Sequence, residues 1–158
     1  SVRPIDWRDW SGLSTLTCGR SGSKLRLVSL EVYNRYSMEH AFLDAYRRVL
    51  EGREVRGAAI ESEATGATVG AALIMSDHRF PGTSILDLFV HPAFAERSSE
   101  LLGALPANTK GGKIQAFAEP DDTAKVQALK EAGFREEAIL RNQVKLDTGM
   151  ADVVVLGR

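Results

Sequence analysis

The chain has 158 residues, 44% of them hydrophobic and 26% charged, which suits one soluble globular domain spanning 1–158. Its 20 Lys and Arg against 21 Asp and Glu leave a net charge of −1, which argues against a nucleic-acid partner. No apolar run approaches ~20 residues and the N-terminus SVRPIDWRDW has no signal-peptide pattern, so no membrane partner and a cytoplasmic location are expected. The single Cys18 allows no internal disulfide, and no metal is expected. The opening on Ser1 rather than Met fits a processed start or a domain of a longer protein.

Val2 to Ile5 reads as a short strand, with Asp6 capping a helix through Leu16. Residues 19–36 are a Gly/Ser-led segment without a clear pattern. Ser37 is expected to cap a helix whose Met38, Phe42, Ala45, Tyr46 and Val49 share one face, with Gly52 closing it. Val55–Ile60 and Val69–Met75 read as strands joined by a turn at Glu63–Gly66. Residues 84–90 form another strand, with Ile85, Asp87 and Phe89 on one face and Leu86, Leu88 and Val90 on the other. VHPAFAERSSELLGAL then leads into a helix carrying Leu101, Leu102 and Leu105. Ile114–Ala118 is a strand, and Asp121 or Asp122 caps a helix with Val126, Leu129 and Ala132 facing inward. Gly133 is placed at its C′ position, and two closing strands follow, Phe134–Leu146 and Asp152–Leu156. The order β-α-α-β-β-β-α-β-α-β-β has few connections long enough for parallel crossovers. The expected class is α+β, three layers around a mixed sheet of about seven strands.

Four phrases in this order resemble the GNAT superfamily of acyl-CoA-dependent N-acyltransferases. EVRGAAIESEATGATVGAALI is similar to the family's second and third strands, and ILDLFVHPAF to its fourth strand and exit. KEAGFREEAILR is similar to its helix–Gly–Phe–strand phrase, and TGMADVVVLGR to its last hairpin. The resemblance implies acetyl-CoA as cosubstrate, an amine acceptor on a small molecule or protein, and a thioester lying where the fourth strand splays from the fifth. It also implies that backbone groups of Phe89 and Val90 pair with the pantetheine arm, with the Val90 N–H as oxyanion donor. The exposed edges of such a sheet favour pairing with a second copy; a tandem acyltransferase domain is the partner that a non-catalytic reading implies.

Two departures bear on function. Typical members hold pyrophosphate on a basic residue and a Gly-x-Gly turn after the fourth strand. Here Ala95-Glu96-Arg97-Ser98-Ser99-Glu100 stands instead. Arg97, Ser98 and Ser99 can offer a charge-assisted donor and two hydroxyls, whereas Glu96 and Glu100 oppose an anion. The last helix carries Asp122 where the family often has Asn, and Leu129 where it often has the Tyr that protonates the leaving thiolate. Asp122 reads as cofactor-binding or as a plain cap; Leu129 has no proton to give. Asp87, on the strand lining the gap, reads as a general base or amine anchor, and otherwise as a polar residue facing solvent. His91, Glu119, Tyr33 and Tyr36 are further candidates for the pocket. Two classes stay open, an N-acetyltransferase and a non-catalytic binding or scaffold domain.

Overall fold

The computed structural model describes residues 1–18, 35–51, 55–105, 112–146 and 149–158. Among the described residues, seven strands form one sheet: β1 (Val2–Pro4), β2 (Val55–Glu61), β3 (Thr68–Ser76), β4 (Thr83–Val90), β5 (Lys113–Ala118), β6 (Arg135–Leu146) and β7 (Gly149–Gly157). The described residues also hold four α-helices: α1 (Asp9–Cys18), α2 (Arg35–Leu50), α3 (Ser98–Ala104) and α4 (Thr123–Glu131). The sheet order is β1-β2-β3-β4-β5-β7-β6, and among the described residues β4–β5 is the one parallel pair. This is the expected mixed α+β architecture.

Two cores sandwich the sheet, because strand side chains alternate between its faces. Leu86, Leu88, Ala116 and Leu156 pack with Leu101 of α3 and Leu129 of α4 on one side. Ala71, Leu73 and Phe89 pack with Leu13 of α1 and Phe42 of α2 on the other. The predicted two-faced β4 is therefore correct.

Helix boundaries shift from expectation at two N-termini. Helix α1 starts at Asp9, not after Asp6, because Asp6 opens a turn: its carboxylate accepts from the Arg8 N–H and its carbonyl from the Asp9 N–H. The Asp9 carboxylate reaches back to the Asp6 N–H at 2.7 Å, accepts from Thr68 Oγ1 at 2.6 Å, and takes both Arg3 terminal nitrogens at 2.9 and 2.8 Å. Helix α2 begins at Arg35, which puts Ser37 inside its first turn; Gly52 lies outside the described residues. The end of α4 matches the reading from sequence. Gly133 has φ 91°, its N–H donates to Lys130, and the Phe134 N–H donates to Leu129. Both bonds satisfy carbonyls that a helix end otherwise leaves open, and only glycine takes that φ without strain.

Candidate functional site

Strand β4 runs beside β5 only from Thr83/Lys113 to Leu86/Ala116. Beyond that pair the parallel ladder stops, while β4 stays paired to β3 through Gly70/Val90. The last residues of β4 therefore form one wall of an opening between the two strands.

Which backbone groups face that opening follows from the antiparallel phase. The His91 N–H donates to Val69 at 2.8 Å, and the Asp77 N–H donates to Thr83 at 2.8 Å. These bonds bracket Gly70/Val90 and Ser76/Ser84, making both non-hydrogen-bonded pairs. Alternation then gives Ile85, Asp87 and Phe89 their backbone bonds to β3. Leu86, Leu88 and Val90 point their N–H and C=O toward β5. Phe89 is thus corrected as a backbone partner for an arm in the opening, since its own groups belong to Ala71; Leu88 takes its place beside Val90. Gly70 permits the close approach here, because a Cβ would lie 3.1 Å from the Phe89 carbonyl oxygen and 3.3 Å from Val90 Cγ2.

Asp87 is 2% exposed, which overturns the solvent-facing reading of that residue. Glu119, directly after β5, is also buried. Lys125, one turn into α4, is buried with them, its Nζ 5.6 Å from the centre of the Phe89 ring. Helix α4 packs on the Leu86/Leu88 face while Phe89 belongs to the opposite core. The lysine side chain consequently reaches from one layer to the other where β4 and β5 part. Burial pulls the Lys125 ammonium below its ordinary pKa, and the charges of Asp87, Asp122 and Glu119 oppose that pull.

Lys125 escaped the reading of the sequence, although a signal for it existed. It precedes Ala128 by three residues and Leu129 by four, which puts it on their buried face. Asp122 caps α4 by accepting from the Lys125 N–H at 3.3 Å. Leu129 is fully buried in the α3/α4 core. His91 caps the turn after β4, its Nδ1 accepting from the Ala93 N–H at 3.1 Å. Tyr33 lies outside the described residues, as does the Tyr36 side chain.

The segment after β4 is a 3-10 stretch, Pro92–Arg97, leading into α3. Arg97 grips Glu100 through two bonds, Nε to Oε1 at 3.1 Å and a terminal nitrogen to Oε2 at 2.7 Å. The Glu100 carboxylate raises the Arg97 pKa and is itself held below its ordinary value. Ser98 is buried, and both its N–H and its hydroxyl donate to the Ala95 carbonyl, the latter at 2.7 Å. Ser99 and Glu96 are exposed.

No protein-family model and no curated protein matches the chain. Solved structures do. An N-acetyltransferase from Staphylococcus aureus Mu50 superposes with a TM-score of 0.77 at 14% identity, over 100% of this chain and 96% of that one. A putative acetyltransferase from Salmonella typhimurium, solved with acetyl-CoA, gives 0.74 at 17%, over 100% and 92%. The ribosomal-protein-alanine N-acetyltransferase from Brucella melitensis gives 0.72 at 17%, over 100% and 98%. The chain has the GNAT fold.

Within the GNAT fold, the β4 backbone and the turn that follows it differ in which polar groups they leave open. Leu88 and Val90 turn their N–H and C=O toward the opening where β5 diverges. In the turn, Ser98 already satisfies Ala95, and Arg97 must share its guanidinium with Glu100. Ser99, and Arg97 once it leaves Glu100, are the side chains there able to meet an anion. Among the described residues no cluster of three or more His, Cys, Asp or Glu could hold a metal. None of the described helices is long and apolar enough to cross a membrane.

Proposed function

We propose that the chain is an acyl-CoA-dependent N-acetyltransferase of one domain, moving an acetyl group from acetyl-CoA to a primary amine. The observation that carries this reading is the parting of β4 from β5 with the Leu88 and Val90 backbone groups turned into the opening. Acetyl-CoA supplies an activated thioester. The Val90 N–H donates to the carbonyl oxygen as negative charge develops on it. Asp87 takes the proton that the amine loses as its nitrogen bonds to the carbonyl carbon and the carbon–sulfur bond breaks. Arg97 and Ser99 are the donors we assign to the cosubstrate's phosphates and Asp122 an acceptor for one of its N–H groups, while Ser98 holds the turn in shape.

Chemistry and likeness together support an amine as the acceptor. The buried acids Asp87 and Glu119 suit an amine that arrives protonated, sheds one proton to solvent and attacks as the neutral amine. The similar structures include enzymes named for spermidine and for ribosomal-protein alanine, both amine acceptors. A non-catalytic scaffold domain, alone or beside a tandem acyltransferase domain, is the competing reading. The Arg97–Glu100 pair and the core position of Leu129 favour it.

Thiol release from acetyl-CoA across a panel of polyamines, small amines and peptide N-termini tests the proposal. Release with at least one amine is expected; binding without release from any of them supports the scaffold. Arg97→Glu should raise the KM for acetyl-CoA several-fold and leave folding intact, because it replaces a cation beside the phosphates with a second carboxylate. An unchanged KM would move the phosphates away from this turn.

A further inference from the structure

Lys125 is the one buried cation among the described residues, and its Nζ lies 5.6 Å from the ring of Phe89, on the strand that walls the opening. Three acids act on it from the elements packed around that opening: Asp87 of β4, Glu119 after β5 and Asp122 at the α4 cap. Burying a lysine ammonium is costly, so a position that retains one beside a proposed reaction gap calls for a chemical account.

Acyl transfer out of a thioester leaves a thiolate. Water solvates that charge in solution, whereas beside the buried Phe89 and Lys125 a protein group must take its place. A cation or a proton must meet the sulfur there. Resting on the acetyl-CoA reading above, the geometry points to Lys125 as the residue that meets the leaving sulfur of CoA and gives it the Nζ proton. The step balances within the site. The acceptor nitrogen bonds to the acetyl carbon and yields its proton to Asp87, while the carbon–sulfur bond breaks. The sulfur takes a proton from Lys125, leaving a neutral amine, and the proton on Asp87 passes to Lys125 to restore both groups. An ammonium drawn below the ordinary lysine range gives up its proton more readily to a thiolate than an exposed one does. Leu129, one turn further along the same face of α4, carries no ionisable group to compete for this role.

The binding arms of the test need no acceptor; the turnover arm uses an amine that the wild type acetylates. Ultraviolet absorbance of the thiolate follows the ionisation of CoA bound to the protein, and affinity is compared for CoA and for desulfo-CoA. Wild type should ionise bound CoA at least about one pH unit below free CoA, a tenfold gain in thiolate, and should prefer CoA over desulfo-CoA as pH rises. Lys125→Met should lose both effects while its affinity for desulfo-CoA holds. Lys125→Arg keeps a fixed cation, so it should retain the ionisation shift but lose turnover, because a guanidinium does not give up its proton. Wild type that binds CoA without a shift overturns the inference, and so does a Lys125→Met variant that binds both ligands more tightly, which would make the lysine a plug. Should the variants fail to fold, the wild-type titration alone decides it. Wild type that binds neither CoA nor acetyl-CoA removes the acetyl-CoA reading itself, and this inference with it.

Discussion

Asp9→Ala is expected to lower the unfolding free energy by about 3 kcal/mol, because it strands partners arranged around a buried carboxylate. Asp9 is 1% exposed and ties α1 to two strands, through Arg3 of β1 and Thr68 of β3. Burial by itself pushes this carboxyl up. The bonds from Arg3, from Thr68 and from the Asp6 N–H, with the charge of Arg3, overcome burial and hold it below the ordinary carboxylate value. A depressed folded pKa stabilises the fold above the unfolded value of about 3.9, and that stabilisation is lost as pH falls through the folded value. Urea unfolding of wild type and Asp9→Asn should therefore differ by a constant amount at neutral pH. Below about pH 4 the two should converge. A gap that widens on acidification would mean that the carboxylate is not what Arg3 and Thr68 recognise.

Val90→Pro is the second large effect expected, and it should fall on chemistry rather than on folding. Proline deletes the N–H proposed to meet the developing oxyanion, so kcat should drop by roughly 10²–10³. The same change removes no ladder bond, because Gly70 and Val90 are a non-hydrogen-bonded pair. Phe89→Pro is the control, since it deletes an N–H directed at Ala71. That variant should lose stability by about 3 kcal/mol or fail to fold. If Val90→Pro unfolds the protein and Phe89→Pro does not, the phase assigned to β4 is reversed.

The parts of this fold that were legible in the sequence are those set by neighbours along the chain. Gly133-Phe134 announced a helix end because the capping bonds span six residues. The alternation around Asp87 announced a two-faced strand because side-chain direction has period two. What stayed hidden depends on partners distant in sequence. Nothing near Asp9 says that Arg3 and Thr68 will meet it, and nothing in ILDLFV says whether Phe89 or Val90 turns its N–H away from β3. That choice is fixed by the β3 register, and it replaced Phe89 with Leu88 among the residues facing the opening. Ser98 looked like a phosphate hydroxyl because its type fits one. The 3-10 stretch Pro92–Arg97 instead brings the Ala95 carbonyl under it. Lys125 was legible in spacing and overlooked in kind, as a charged residue on an apolar face reads at first as the edge of that face.

We propose that this GNAT fold, which lacks a glycine phosphate turn, still takes acyl-CoA through the backbone of β4. Calorimetric titration of the wild-type protein with acetyl-CoA tests it most directly. Saturable binding is predicted, with affinity that survives Ser98→Ala and weakens in Arg97→Glu. An absence of binding at millimolar acetyl-CoA would contradict the claim.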